Sequence, residues 1–201
     1  MIKLKDRIKK YFKNKSRWKI AGDLIFYIFI ILLIIPATRK PISTSLIRLT
    51  MLKPRVENNE NLPSITELDK DFLIEDLGDN TYKLENFENE VILLNFWATW
   101  CPPCRAEMPA LQKLYNEYGD KIAMILVTSE EEKVVLNYLN EFNYNLPVYF
   151  QRSTLPPSFQ VRSIPTTFLI DKNGNIITEK KGAANWNSGS FKSQLDQLIK
   201  Q

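Results

Sequence analysis

Histidine is absent from this chain of 201 residues, and cysteine occurs only twice. Those two shortages exclude several chemistries. A structural zinc site takes four ligands, usually cysteine and histidine, and two thiols with no imidazole cannot supply them. Covalent haem attachment needs histidine directly after the second cysteine, where this chain has Arg105. There is no internal repeat and no low-complexity tract. Hydrophobic content of 44% is ordinary for a globular core, and the length suggests one domain plus accessories.

Both cysteines lie in one stretch, Phe96-Trp97-Ala98-Thr99-Trp100-Cys101-Pro102-Pro103-Cys104-Arg105-Ala106-Glu107-Met108-Pro109. It follows an apolar run from Val91 to Phe96 that reads as a buried strand. From Pro102 to about Tyr118 the spacing turns helical, with Met108, Leu111, Leu114, Tyr115 and Tyr118 recurring every three or four residues. The cysteines therefore sit where a strand becomes a helix, with proline in the first turn, where its missing N–H costs nothing. Residues three apart share a helix face, so the two thiols can close a disulfide with little backbone movement. Cys101 is placed at the helix N-terminus, nearer solvent, where unpaired N–H groups and the helix dipole favour a thiolate. Cys101 is the expected nucleophile and Cys104, one turn in, the expected resolving thiol. A purely structural role is disfavoured, because so short a loop removes little entropy from the unfolded chain.

Leu94 to Cys104 resembles the active-site strand and loop of thioredoxin-like proteins, and Arg105-Ala106-Glu107-Met108-Pro109 resembles the membrane-anchored TlpA/ResA group, which handles disulfides outside the cytoplasm. A second block, Ser163-Ile164-Pro165-Thr166-Thr167-Phe168-Leu169-Ile170-Asp171, resembles the cis-proline loop and following strand of that family. The resemblance spans roughly residues 66 to 201. It implies a thioredoxin-like α/β fold, a central mixed sheet flanked by helices, and a thiol–disulfide oxidoreductase that reduces exported protein disulfides such as those of apocytochrome c. A membrane redox protein is the implied electron donor, and no cofactor or metal is required. The resemblance also implies a cis Ile164–Pro165 bond, with the Ile164 backbone open to pair with an extended substrate. Trp100 and Pro102 line the substrate side of the same site.

Two residues carry competing readings. Glu107, three positions after Cys104, either handles the proton that thiol exchange must move or is an exposed acid in the first turns of a helix. The resemblance, in which an acid here tunes the site, favours the former. Asn95 stands where cytosolic thioredoxins usually carry a buried aspartate, and a neutral amide cannot accept the proton of a resolving thiol. Other functions are less favoured. Peroxidases of this kind place threonine three residues before the reactive cysteine, where this chain has Ala98. Copper-handling relatives typically add a histidine, which is missing.

Net charge is +4, but its distribution matters more. Residues 1–19 hold nine Lys and Arg against Asp6, leaving 18 basic and 22 acidic residues in the remainder. That balance argues against nucleic acid as a partner of the redox domain. Residues 20–38 are nearly all apolar and suggest a transmembrane anchor of about 20 residues, uncleaved because Ile35-Pro36-Ala37 is a poor signal-peptidase site. The basic tail at 1–19 would then be cytoplasmic, with the C-terminal domain facing the periplasm or cell exterior. Residues 39–65 form a juxtamembrane segment and linker. Within it, 41–52 suits either an amphipathic surface helix or an irregular connection, and 53–63 reads as a tether. The expected domain covers 66–201. Its strands are expected at 72–77, 81–84, 91–97, 121–128, 148–151, 166–170 and 175–178, with helices at 102–118, 130–142 and 190–199. Gly78-Asp79-Asn80 and Asn173-Gly174 mark hairpin turns.

Overall fold

Apolar runs of five or six residues bounded by polar turns form the centre of the domain. The computed structural model describes residues 17–34, 47, 51, 63–159 and 161–201. In chain order the elements are α1 (Arg17–Ile34), α2 (Glu67–Lys70), β1 (Leu73–Asp76), β2 (Thr81–Lys83), a 3-10 turn (Leu84–Phe87), β3 (Ile92–Phe96), α3 (Pro102–Tyr118), β4 (Ala123–Thr128), α4 (Glu132–Phe142), β5 (Val148–Gln151), β6 (Thr166–Ile170), β7 (Ile176–Lys181) and α5 (Gly189–Lys200). The seven strands form one mixed sheet in the order β2-β1-β5-β4-β3-β6-β7. β3 runs parallel to β4, and β4 to β5; β6 is antiparallel to β3 and to β7. This is the thioredoxin-like α/β arrangement that the motifs implied.

The connections β3–α3–β4 and β4–α4–β5 step the same way across the sheet. Right-handed crossovers therefore put α3 and α4 on one face. Their buried residues join those of α5 in one apolar cluster with Leu93, Met124 and Leu126. The alternate residues of the same strands, Ile92, Leu94, Phe96, Ile125 and Val127, pack on the other face with Phe72, Leu84, Phe159 and Phe168. Side chains alternate along a strand, so Asn95 lies in phase with Leu93, on the helix side.

The face opposite the helices is closed by loops. Asp69 is buried, and its carboxylate accepts from the Thr66 N–H and hydroxyl and from the Ser158 N–H and hydroxyl. Burial alone would raise its pKa, but these four donors together outweigh it and hold the group below the ordinary aspartate value. The bonds from Ser158 to Asp69 bring in Phe159 beside it, whose ring lies 5.1 Å from Phe168 and 6.5 Å from Phe96. At the far end of β6, Gly174 turns at φ 80°, and a Cβ there would come within 2.9 Å of Ile65. Only glycine fits that turn without strain.

The expected transmembrane helix at 20–38 is not found, and the fold class is corrected accordingly. Among the described residues no helix is long and apolar enough to cross a membrane. Residues Arg17–Ile34 form an 18-residue helix, about 27 Å long at 1.5 Å per residue. Arg17, Lys19 and Asp23 occupy its first two turns, leaving an uncharged run of 11 residues from Leu24 to Ile34. That run covers about 16 Å, about half of a ~30 Å hydrocarbon core. The single-pass topology, with a cytoplasmic tail and an outward-facing domain, falls with it. Residues 1–16 and 35–38 lie outside the described residues, as do the segments expected at 41–52 and 53–63 apart from Ile47, Met51 and Pro63.

Candidate active site

β3 ends at Phe96, and the chain is still held to β4 one residue later, where the Trp97 N–H donates to the Val127 carbonyl at 3.0 Å. A turn follows, closed by the Cys101 N–H on the Ala98 carbonyl, and α3 begins. Cys101 is its N-cap, with Pro102 and Pro103 in the first turn. The Cys104 N–H donates to Cys101 Sγ at 3.2 Å. The two cysteines are joined as a disulfide with Cα atoms 5.3 Å apart. Cys101 Sγ here stands for the thiolate of the reduced form, so one of the orphan N–H groups of the helix start already points at the sulfur that would carry charge. Cys101 is 3% exposed and Cys104 is fully covered, so both sulfurs lie in buried residues.

The Ile164–Pro165 bond is cis. The loop it shapes brings the Ile164 carbonyl oxygen to 3.6 Å from Cys101 Sγ. Ile164 itself is half-buried, while Arg162 and Ser163 before it are exposed. Trp100, next to the disulfide in sequence, is 63% exposed, and Pro102 is half-covered. Trp97 is instead buried and packs on Tyr138 at 5.7 Å, the ordinary aromatic role.

Glu107 is not a surface acid. It lies one turn beyond Cys104 and is fully buried. Oε1 accepts from Asn95 Nδ2 at 3.0 Å, and Oε2 accepts from Trp186 Nε1 at 2.8 Å and the Ala184 N–H at 3.2 Å. Burial pushes the carboxyl up to about 7, against the pull of the Trp186, Asn95 and Ala184 donors and of the Lys180 charge. A carboxyl with that value exchanges protons near neutral pH.

Sequence reasoning missed a second brace. The Glu130 carboxylate accepts from the Thr99 N–H at 2.5 Å and the Thr99 hydroxyl at 2.7 Å. Arg105 donates to the Thr99 carbonyl at 3.4 Å while its guanidinium lies about 5 Å over the Tyr138 and Phe142 rings. Thr99 is thus held on both sides, two residues before Cys101. The helix expected from Glu130 begins instead at Glu132, because Glu130 is drawn back to the active-site loop. Its sequence signal, an acid at a helix start, is that of an ordinary complement to the dipole. Glu130→Ala is expected to cost about 1–2 kcal/mol through two charge-assisted hydrogen bonds, lowering Tm by a few degrees; an unchanged melting curve would show the brace to be idle.

The Redoxin family model matches residues 57–199. The thioredoxin-like protein YneN of Bacillus subtilis is 39% identical over 110 residues, 53% of this chain and 65% of its own. This chain thus spans just under two thirds of the length of that relative. The thiol-disulfide oxidoreductase ResA of Bacillus thuringiensis is 33% identical over 133 residues, 65% of this chain and 73% of its own. Among solved structures, the exposed lipoprotein thioredoxin of Streptococcus pneumoniae superposes with a TM-score of 0.54 at 29% identity, covering 64% of this chain and 99% of that one.

Proposed function

We propose that this chain, which belongs to the Redoxin family, is a thiol–disulfide oxidoreductase that works as a reductant of protein disulfides. The observation that carries this reading is the Cys101–Cys104 disulfide at the start of α3, with Cys101 Sγ facing the Ile164 carbonyl of the cis-proline loop. The geometry supports the following exchange. In the reduced form the Cys101 thiolate attacks one sulfur of a substrate disulfide, forming a mixed disulfide and expelling the other substrate sulfur as a thiolate. Cys104 then gives up its proton, for which Glu107 is the acceptor, and attacks Cys101 Sγ. The intramolecular disulfide forms, the second substrate thiolate leaves, and two electrons have passed to the substrate. A dithiol donor reverses the sequence to restore the enzyme.

Substrate geometry follows from the same loop. An extended segment laid beside Ile164 pairs with its backbone as an added strand, and Trp100 and Pro102 offer apolar cover on the other side of the sulfur. Apocytochrome c, a disulfide-bearing chain without its haem, is the substrate implied by the likeness of residues 105–109 to the TlpA/ResA group.

Alkylation of the reduced protein tests the assignment of the nucleophile. At pH 7 Cys101 is expected to react about tenfold faster than Cys104, because the helix N-terminus and the Cys104 N–H favour its thiolate. Equal rates, or faster loss of Cys104, would reverse the roles.

A further inference from the structure

The hydrogen bonds of Asn95 are one-sided. Nδ2 makes two donations, to Glu107 Oε1 at 3.0 Å and to Thr167 Oγ1 at 2.8 Å. Oδ1, fully buried, has no partner among the described residues. Asn95 and Thr167 are direct cross-strand neighbours on β3 and β6, and Thr167 is two residues from the cis-proline. A buried acceptor left empty beside a carboxyl group calls for a physical reason.

Donor and acceptor bookkeeping supplies one. The arrangement suits an ionised Glu107, which only accepts. A proton on Oε2 would face the Ala184 N–H and the Trp186 indole N–H, both of which can only donate. The proton must therefore sit on Oε1, where it needs an acceptor, and Asn95 presents nitrogen there. Rotating the amide by half a turn puts Oδ1 against Oε1. The same rotation turns Thr167 from acceptor to donor, a change that a hydroxyl accommodates by rotating its hydrogen. One end of the amide is without a partner in either orientation.

We propose that Asn95 and Thr167 are positioning residues for Glu107: the Asn95 amide turns over when Glu107 gains or loses its proton, and the Thr167 hydroxyl follows by exchanging accepting for donating. The switch deepens the reading of Glu107 as the proton carrier and rests on it. The charged and titratable groups around it are few. Lys180 on β7 attracts the ionised form, and Cys101 and Cys104 on α3 are joined in the disulfide and do not titrate. Ala184, Trp186, Asn95 and Thr167 contribute only neutral groups.

The test is a pH titration of the full chain in its disulfide form, labelled with ¹³C and ¹⁵N, with no substrate present. The Glu107 carboxyl carbon reports ionisation, and nuclear Overhauser contacts from the Asn95 amide protons report orientation. Above the Glu107 midpoint those protons are expected to contact the Glu107 methylene and the Thr167 β-proton, and below it both contacts disappear. Contacts that persist while Glu107 titrates, or a Glu107 that does not titrate between about pH 5 and 9, overturn the switch. Substitution adds a second readout. Thr167→Ser keeps a hydroxyl and is expected to leave the Glu107 midpoint in place. Thr167→Val leaves an amide N–H without an acceptor in the ionised state, a heavier penalty than an underused carbonyl in the protonated one. It is expected to raise the midpoint by roughly 0.7 units, about one neutral hydrogen bond. Equal midpoints in the two variants would also sink the proposal. Both readouts are independent of disulfide exchange, so an enzyme inactive on protein substrates would leave them standing.

Discussion

Cys104→Ser, reduced and mixed with a disulfide-bearing protein, is expected to stop as a covalent adduct through Cys101 and to give no second turnover. The first displacement needs only the Cys101 thiolate, which has its N-cap position and the Cys104 N–H in either case. Release needs a second thiol close to that sulfur, and the described pair is the whole cysteine content of the chain. Adduct formation is therefore stoichiometric with enzyme, and reducing agent dissolves it. Non-reducing electrophoresis with mass spectrometry of the adduct identifies the bonded cysteine. Cys101→Ser is the opposite case, because Cys104 is fully covered and lies one turn into the helix. It is expected to form no adduct and to lose turnover altogether. Offering apocytochrome c beside an unrelated disulfide protein turns the experiment into a substrate test. Trapping of the first alone marks a dedicated reductase, and equal trapping of both marks a general one. Trapping through Cys104 in the Cys101→Ser variant would overturn the proposed order of attack.

Legibility of the sequence varied with the range of the interaction involved. β6 occupies Thr166–Ile170 as expected, because an apolar and β-branched run is bounded there by Pro165 and Asp171. β7 runs on to Lys181, three residues beyond expectation, since it is an edge strand where Glu179, Lys180 and Lys181 cost little. The four-residue α2 and the 3-10 turn at Leu84–Phe87 are too short for any periodic pattern to reveal them. The cysteine pair was legible because its chemistry depends on residue type at fixed spacing, and the cis-proline through the likeness of residues 163–171 to a known family. The partners of Glu107 were not, as Ala184 and Trp186 lie 77 and 79 positions away and no local pattern marks them. Thr99 and Glu130 are separated by 31 positions and meet only because β3 and β4 are parallel neighbours. The expected span at 20–38 fails for another reason: Arg17, Lys19 and Asp23 stand in the same 18-residue helix as the apolar run that begins at Leu24.

Glu107→Gln separates catalysis from stability in one variant. Folding raises Glu107 from its ordinary 4.5 to about 7 because burial penalises the charge. Between those two values the folded state holds a proton that the unfolded state has released, so stability falls as pH rises through that window. The loss is complete above about pH 7 and amounts to about 3 kcal/mol at 1.36 kcal/mol per unit. Glutamine has the same shape without the charge, and its amide nitrogen can meet Asn95 Oδ1, which has no partner among the described residues. With the disulfide intact, urea unfolding is expected to find the variant and the parent nearly equal at pH 5. By pH 8 the variant should lead by up to about 3 kcal/mol. Exchange activity is expected to move the other way. On the proposed path the ionised Glu107 accepts the Cys104 proton above pH 7 and glutamine cannot, so the resolving step is expected to slow by about a hundredfold, the low end for a lost general base. The rise in rate through pH 7 should vanish from single-turnover kinetics in the same variant. Stability curves that run parallel across the pH range would return the burial cost to some other group. An undiminished resolving rate would remove Glu107 from the proton path while leaving the Cys101–Cys104 exchange itself intact.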